Sequence, residues 1–103
     1  MKLLNINYVP GAEIEALGMV KGTVVYSKNF GRDFMASMKT LVGGEIVGNT
    51  EMLIEARQIA VKRMVDEAEA LGADAVIGVT YGSAEIMSGA AECIAYGTAV
   101  RIV

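Results

Sequence analysis

The chain has no histidine and no tryptophan, and only one cysteine and one proline among its 103 residues. Without histidine it lacks the usual general base near neutral pH and the commonest nitrogen ligand of transition metals. Cys93 has no intrachain partner for a disulfide, so a reducing compartment is the expectation. No apolar run approaches the roughly 18 to 20 residues of a membrane-spanning helix. Asn5 and Asn7 interrupt the apolar N-terminal stretch before a signal-peptide core could form. The expectation is a cytoplasmic protein with no membrane partner. An excess of basic residues is also missing, and the net charge of -3 offers nothing for the counterion release that drives nucleic-acid binding. Nucleic acid is therefore not an expected partner.

Apolar side chains are what the chain has in quantity, at 53% of residues. The length supports one domain spanning 1–103 and not two, because a second core would leave neither half self-supporting. A small domain has much surface per unit volume, so an apolar surplus is either exposed or buried against another copy. Homo-oligomerisation is the first inference.

Pro10-Gly11 marks a turn that sets off residues 1–10, where Leu4, Ile6 and Tyr8 alternate, as a short strand or arm. The β-branched run from Ala16 to Ser27 reads as the first main strand. A short helix is expected from Arg32 to Leu41, with Phe34, Met35, Met38 and Leu41 at helical spacing and Gly43-Gly44 ending it. The clearest element is a helix from Thr50 to Leu71, with Asn49 or Thr50 as N-cap, Glu51 and Glu55 near its positive end and Gly72 past its last turn. Leu53, Ala56, Ala60, Met64, Ala68 and Leu71 form one stripe of it. Met52 and Ile59 flank that stripe on one side, and Ile54, Val61 and Val65 on the other. The resulting apolar arc spans roughly 240°, more than one sheet face needs, so part of it is expected to meet a neighbouring subunit. Residues 74–81 and 92–103 read as two further strands. The order β-α-β-β predicts an α+β two-layer sandwich with an antiparallel sheet, one helix covering one face and the other face needing cover too.

Residues 18–22 (GMVKG), Arg32-Asp33-Phe34, Val42-Gly43-Gly44, Ala56-Arg57, 71–79 (LGADAVIGV) and 95–100 (AYGTAV) occur together in one order and spacing. In these segments, from about Gly11 to Val103, the chain resembles the YbjQ-like family of small bacterial and archaeal proteins. The resemblance implies a dodecin-subunit-like fold assembled as a homo-oligomeric ring, with a pentamer the expected number. The family is catalogued under heavy-metal binding, with no characterised role, so a metal ion is the cofactor to test for. The resemblance transfers no site residues and no enzyme activity.

For a metal, the low-ranking candidates are Cys93, Glu85, Glu51 and Glu55. With one thiol per chain, a soft-metal cage would have to converge across a symmetry axis or recruit Met87, Glu85 or another chain. Glu92 and Cys93 point to opposite faces of an extended strand and do not form a joint ligand pair. Burial as a small apolar residue is the preferred reading of Cys93, and packing is the preferred reading of the methionines. Glu51 and Glu55 lie one turn apart and could share a hard cation, or simply complement the helix dipole. Gly43, Gly44 and Gly48 precede the expected helix and could hold an anion, although no P-loop or dinucleotide motif is present. Arg57 stands on the apolar side, where an unpaired charge is costly. It is expected either to meet Asp33 or Glu67 or to lie partly exposed along apolar surface, and with Asp33 and Arg32 it is assigned a structural, interface role. Ser27, Ser37, Ser83, Ser88 and Cys93 lie in no nucleophile motif, so catalysis is unsupported. A flavin follows from fold analogy alone, and the missing indole removes its natural stacking platform. Tyr81 and Tyr96 could stack a small ligand, with strand packing preferred for both.

Overall fold

The computed structural model describes residues 1–27, 45–87 and 90–103. Its elements are β1 (Lys2–Leu3), β2 (Ile14–Ser27), α1 (Glu45–Ala70), β3 (Ala75–Met87) and β4 (Ala90–Ile102). The strands form one sheet in the order β1-β3-β4-β2. β4 runs antiparallel to both its neighbours, and β1 runs parallel to β3. The sheet is therefore mixed, where the sequence predicts an antiparallel one. β1 and β2 occupy opposite edges, and the chain between them crosses the sheet face, so no hairpin imposes antiparallel pairing on β1. The short helix expected at 32–41 lies outside the described residues. Among those that are described, no helix is long and apolar enough to cross a membrane.

Side chains alternate across the sheet and so divide the core in two. On one face Val20, Val76, Cys93, Ala95 and Ala99 pack against Ala56, Ala60, Met64 and Ala68 of α1. On the other face Ala75, Ile77 and Val100 are covered by Val9, with Leu4, Ala12 and Ile14 around them. The N-terminal arm thus provides the cover that the second face needs, at one end only.

The helix begins at Glu45, five residues before the N-terminus read from the sequence. Asn49 and Thr50 are good capping residues, and Gly48 looks like a stop. One interior glycine costs about 1 kcal/mol, however, and a helix of 26 residues continues through it. Gly48 is then an interior residue, and Glu51 and Glu55 lie beyond the first turn, where the helix dipole no longer favours them.

The other end follows the sequence. Gly72 adopts φ +79°; its N–H donates to the Glu69 carbonyl at 3.0 Å, and the Ala73 N–H donates to that of Ala68 at 3.1 Å. This is a Schellman closure, with Ala73 packed on the cluster that contains Ala68. Gly72→Ala is expected to cost about 1 kcal/mol, because a Cβ disfavours the left-handed backbone. The urea midpoint at fixed protomer concentration measures it.

The close approach of α1 to β2 has a specific cause. A Cβ on Gly22 would fall against the Ala60 carbonyl oxygen and the Met64 amide nitrogen, so helix backbone rests directly on strand backbone. Alanines at 56, 60 and 68 leave the room for it. Further along, a bulge between Ile77 and Thr80 bends β3 at Gly78, which takes φ +63°. The arm satisfies the interrupted ladder: Gly78 and Val79 N–H groups donate to the carbonyls of Ile6 and Leu4 at 2.8 and 2.9 Å. Beyond the bulge the β3–β4 hairpin continues to Met87, and from Tyr81 onward the β3 side chains are almost all exposed.

Candidate functional site

The metal candidates do not converge. Cys93 is buried, pairs with Val24 and Ser83 across the sheet, and packs among Val20, Ala56 and Ala95. It behaves as a small core residue, and its thiol sits beneath α1. Glu85 lies on the same sheet face, nearer the hairpin end, and is exposed. Glu92 lies on the opposite face, as the strand alternation predicts. Glu55 borders a shallow groove on α1 with Gln58, Ile59, Lys62, Arg63 and Asp66. Glu51 lies one helical turn before it, outside the residues whose side chains are described. No three Cys, Asp or Glu side chains come together among the described residues.

The methionines divide by environment. Met64 is fully buried, while Met19 and Met87 are 79% and 64% exposed; Met35 and Met38 lie outside the described residues. The anion reading loses part of its ground. Gly48, Asn49 and Thr50 are inside α1, so only Gly43 and Gly44 precede it, and both lie outside the described residues.

Arg57 is exposed, and among the described residues it meets no carboxylate. Glu67 stands ten residues further along the same helix, about 15 Å of rise away. Its carboxylate accepts the Lys21 backbone N–H at 3.2 Å instead. Asp33 and Arg32 lie outside the described residues. Sequence reasoning overlooked Arg63, whose Nη1 donates to the Thr23 carbonyl at 2.6 Å. Arg63 and Glu67, one turn apart, together occupy an acceptor and a donor on the outer edge of β2. Such cover protects an edge strand from unintended pairing. The four-residue spacing of opposite charges beside the buried stripe was the available signal.

Among the described residues, two apolar surfaces are exposed. One is the part of the sheet face that the N-terminal arm does not reach, where Met19, Val25 and Tyr96 are 79%, 59% and 38% exposed. The other follows α1, where Ile54 and Leu53 are exposed and Val61 and Val65 are half-buried. Beside it Ile54, Arg57, Gln58, Val61 and Lys62 face Tyr81 across an open groove of about 350 Å³. Tyr81 and Tyr96 belong to opposite sheet faces, since Tyr81 pairs with Ala95. They cannot stack one ligand within a subunit.

Among the described residues, one helix laid over a four-stranded mixed sheet defines a small α+β protein. The solved structure of a protein of unknown function from Pediococcus pentosaceus, of the DUF74 family, has this fold. It matches with a TM-score of 0.70 over 100% of this chain and 98% of that one, at 18% identity. The chain belongs to the YbjQ-like family, whose model, described as "Putative heavy-metal-binding", matches residues 1–103. Among relatives, the UPF0145 protein of Thermotoga maritima is 60% identical over 99% of this chain and 97% of its own length. That of Clostridium novyi is 55% identical over 99% of each, and that of Alkaliphilus metalliredigens is 50% identical over the whole of both.

Proposed function

We propose that this chain is one subunit of a homo-oligomeric ring that serves as a binding or scaffold module. Five subunits is the number that the family resemblance implies. The observation that carries the reading is the exposed apolar surface, which lies both along α1 and on the sheet face behind it. Scattered apolar residues are normal on a monomer, but apolar surface on two sides of a subunit fits contact with two neighbours.

Metal binding is the finer part of this reading. Cys93 is buried, and the described carboxylates of one subunit do not cluster, so a metal site would be built from several copies around an axis. Native mass spectrometry of untagged protein tests both parts. A ring that takes up zinc or cadmium in integral steps is the expected result. A monomer at micromolar concentration sinks the assembly, and a ring that stays metal-free on titration sinks the metal. Retention of an organic molecule would favour a small-ligand receptor with its site between subunits.

A further inference from the structure

The chain treats the two edges of its sheet differently. On β2 the Lys21 N–H and the Thr23 carbonyl point outward, to Glu67 and Arg63. In an antiparallel ladder a residue whose backbone groups point outward makes no bond to the neighbouring strand, so Lys21 and Thr23 stand opposite Tyr96 and Ile94 in non-hydrogen-bonded pairs. Tyr96 and Ile94 therefore turn their backbone groups the other way, towards Thr80 and Gly82 of β3. Alternation along β3 then directs the N–H and C=O groups of Tyr81, Ser83 and Glu85 out of the opposite edge of the sheet. The N-terminal arm serves that edge only as far as Val79, whose N–H goes to Leu4. Among the described residues no backbone bond is made on the outer side of β3 from Thr80 to Met87. This stretch holds no proline and no lysine, the usual deterrents to edge pairing. The helix leaves it clear as well, since α1 makes its close approach at Gly22, on the opposite edge.

We propose that the outer edge of β3 pairs antiparallel with the same edge of a second copy of this chain, about a twofold axis at Ser83. A row of unpaired backbone donors and acceptors is answered in register by another strand. Two observations make that strand the copy's own β3. Arg63 and Glu67 occupy the middle of the β2 edge, so a copy offers β3 and not β2. The stretch from Thr80 to Glu85 is also regular, lying between the bulges at 77–80 and 85–87, and its outward residues are symmetric about Ser83. The axis sets Ser83 opposite its own mate and Tyr81 opposite Glu85, a phenol donor beside a carboxylate, with no like charges facing. On the other sheet face Gly82 meets Ala84, so the closer non-hydrogen-bonded pairs hold small residues. The contact goes beyond the proposed ring, because it is isologous and closes on itself. It joins two rings face to face, where repetition at every subunit strengthens a short pairing, and in the absence of a ring it yields a dimer.

Native mass spectrometry and analytical ultracentrifugation of the untagged protein should find an even number of subunits. Ser83→Pro removes the outward N–H on the axis and spares the ladder to β4. It should halve that number, or weaken the contact by at least about tenfold in dissociation constant. Ser83→Ala keeps the backbone and should assemble like the wild type, and circular dichroism checks that both variants fold. A second measurement does not depend on proline being tolerated. The axis brings the two Ser83 Cα atoms to about 5.5 Å, within reach of a disulfide, so Ser83→Cys should cross-link to its own copy under mild oxidation. Met87→Cys lies on the order of 26 Å from its mate and should not. Cys93 is buried and should stay out of the reaction. An odd-numbered wild-type ring, or cysteine variants that link equally, overturns the pairing and leaves the ring in place. A wild-type dimer that Ser83→Pro dissociates supports the pairing and overturns the ring. A wild-type monomer overturns both.

Discussion

Gly22→Ala should destabilise the protein by about 3 kcal/mol, the upper part of the range for overpacking a tight core. The size of the effect follows from what the new methyl group meets. Its neighbours are the Ala60 carbonyl and Met64 amide of the helix backbone, which cannot rotate aside as a long side chain would. Relief requires α1 to move as a body away from β2, loosening Ala56, Ala60, Met64 and Ala68 together. Urea unfolding at fixed protomer concentration provides the measurement, since the proposed assembly would add a concentration-dependent contribution. An unchanged midpoint would show that helix and strand do not touch through backbone. The effect would also reach the proposed assembly, because the same helix carries the exposed apolar arc.

The second large effect is expected from Met64→Ala, at about 3 kcal/mol. Met64 is the largest of the fully buried side chains and stands among three alanines on the inner stripe of α1. Truncation removes apolar contacts and leaves a void that small neighbours cannot fill by rotation. Met64→Leu conserves most of the volume and should cost less than about 1.5 kcal/mol. If alanine and leucine at this position behave alike, the side chain contributes nothing by packing. The contrast with Gly22→Ala is informative: one site has no room to gain an atom, and the other none to lose one.

Both effects trace to a stripe that was legible in the sequence. Ala56, Ala60, Met64 and Ala68 recur at four-residue spacing, and helical periodicity alone places them on one line. Leu53 and Leu71, assigned to the same stripe, prove to be 42% and 48% exposed, because they lie towards the helix ends, beyond the tight contact with β2. The excess width of the arc was legible too, and Ile54 and Val61 show where it is left open on the subunit. Cys93 was readable as a core residue because a free cysteine behaves as a small apolar side chain, and it lies in the cluster with Val20, Ala56 and Ala95. The start of α1 was misread because local capping signals at Asn49 and Thr50 outweighed, on paper, the modest penalty of a glycine inside a long helix. The guard on the β2 edge escaped notice for another reason. The four-residue spacing marks Arg63 and Glu67 as a pair, but their partners Thr23 and Lys21 lie 40 and 46 residues away, and the spacing does not say which distant backbone they reach.

What the sequence determined by itself is therefore what local periodicity and composition encode. These are an α+β chain with one long helix, its buried stripe, the Gly72 termination, a cysteine with no intrachain partner and an apolar surplus. Tertiary structure alone decided the parallel placement of β1, the arm across the second sheet face, the backbone contact at Gly22 and the side-chain guard on the outer edge of β2. Each of these depends on which distant segments lie side by side. Side-chain periodicity reports the face a residue occupies, but not what stands opposite that face.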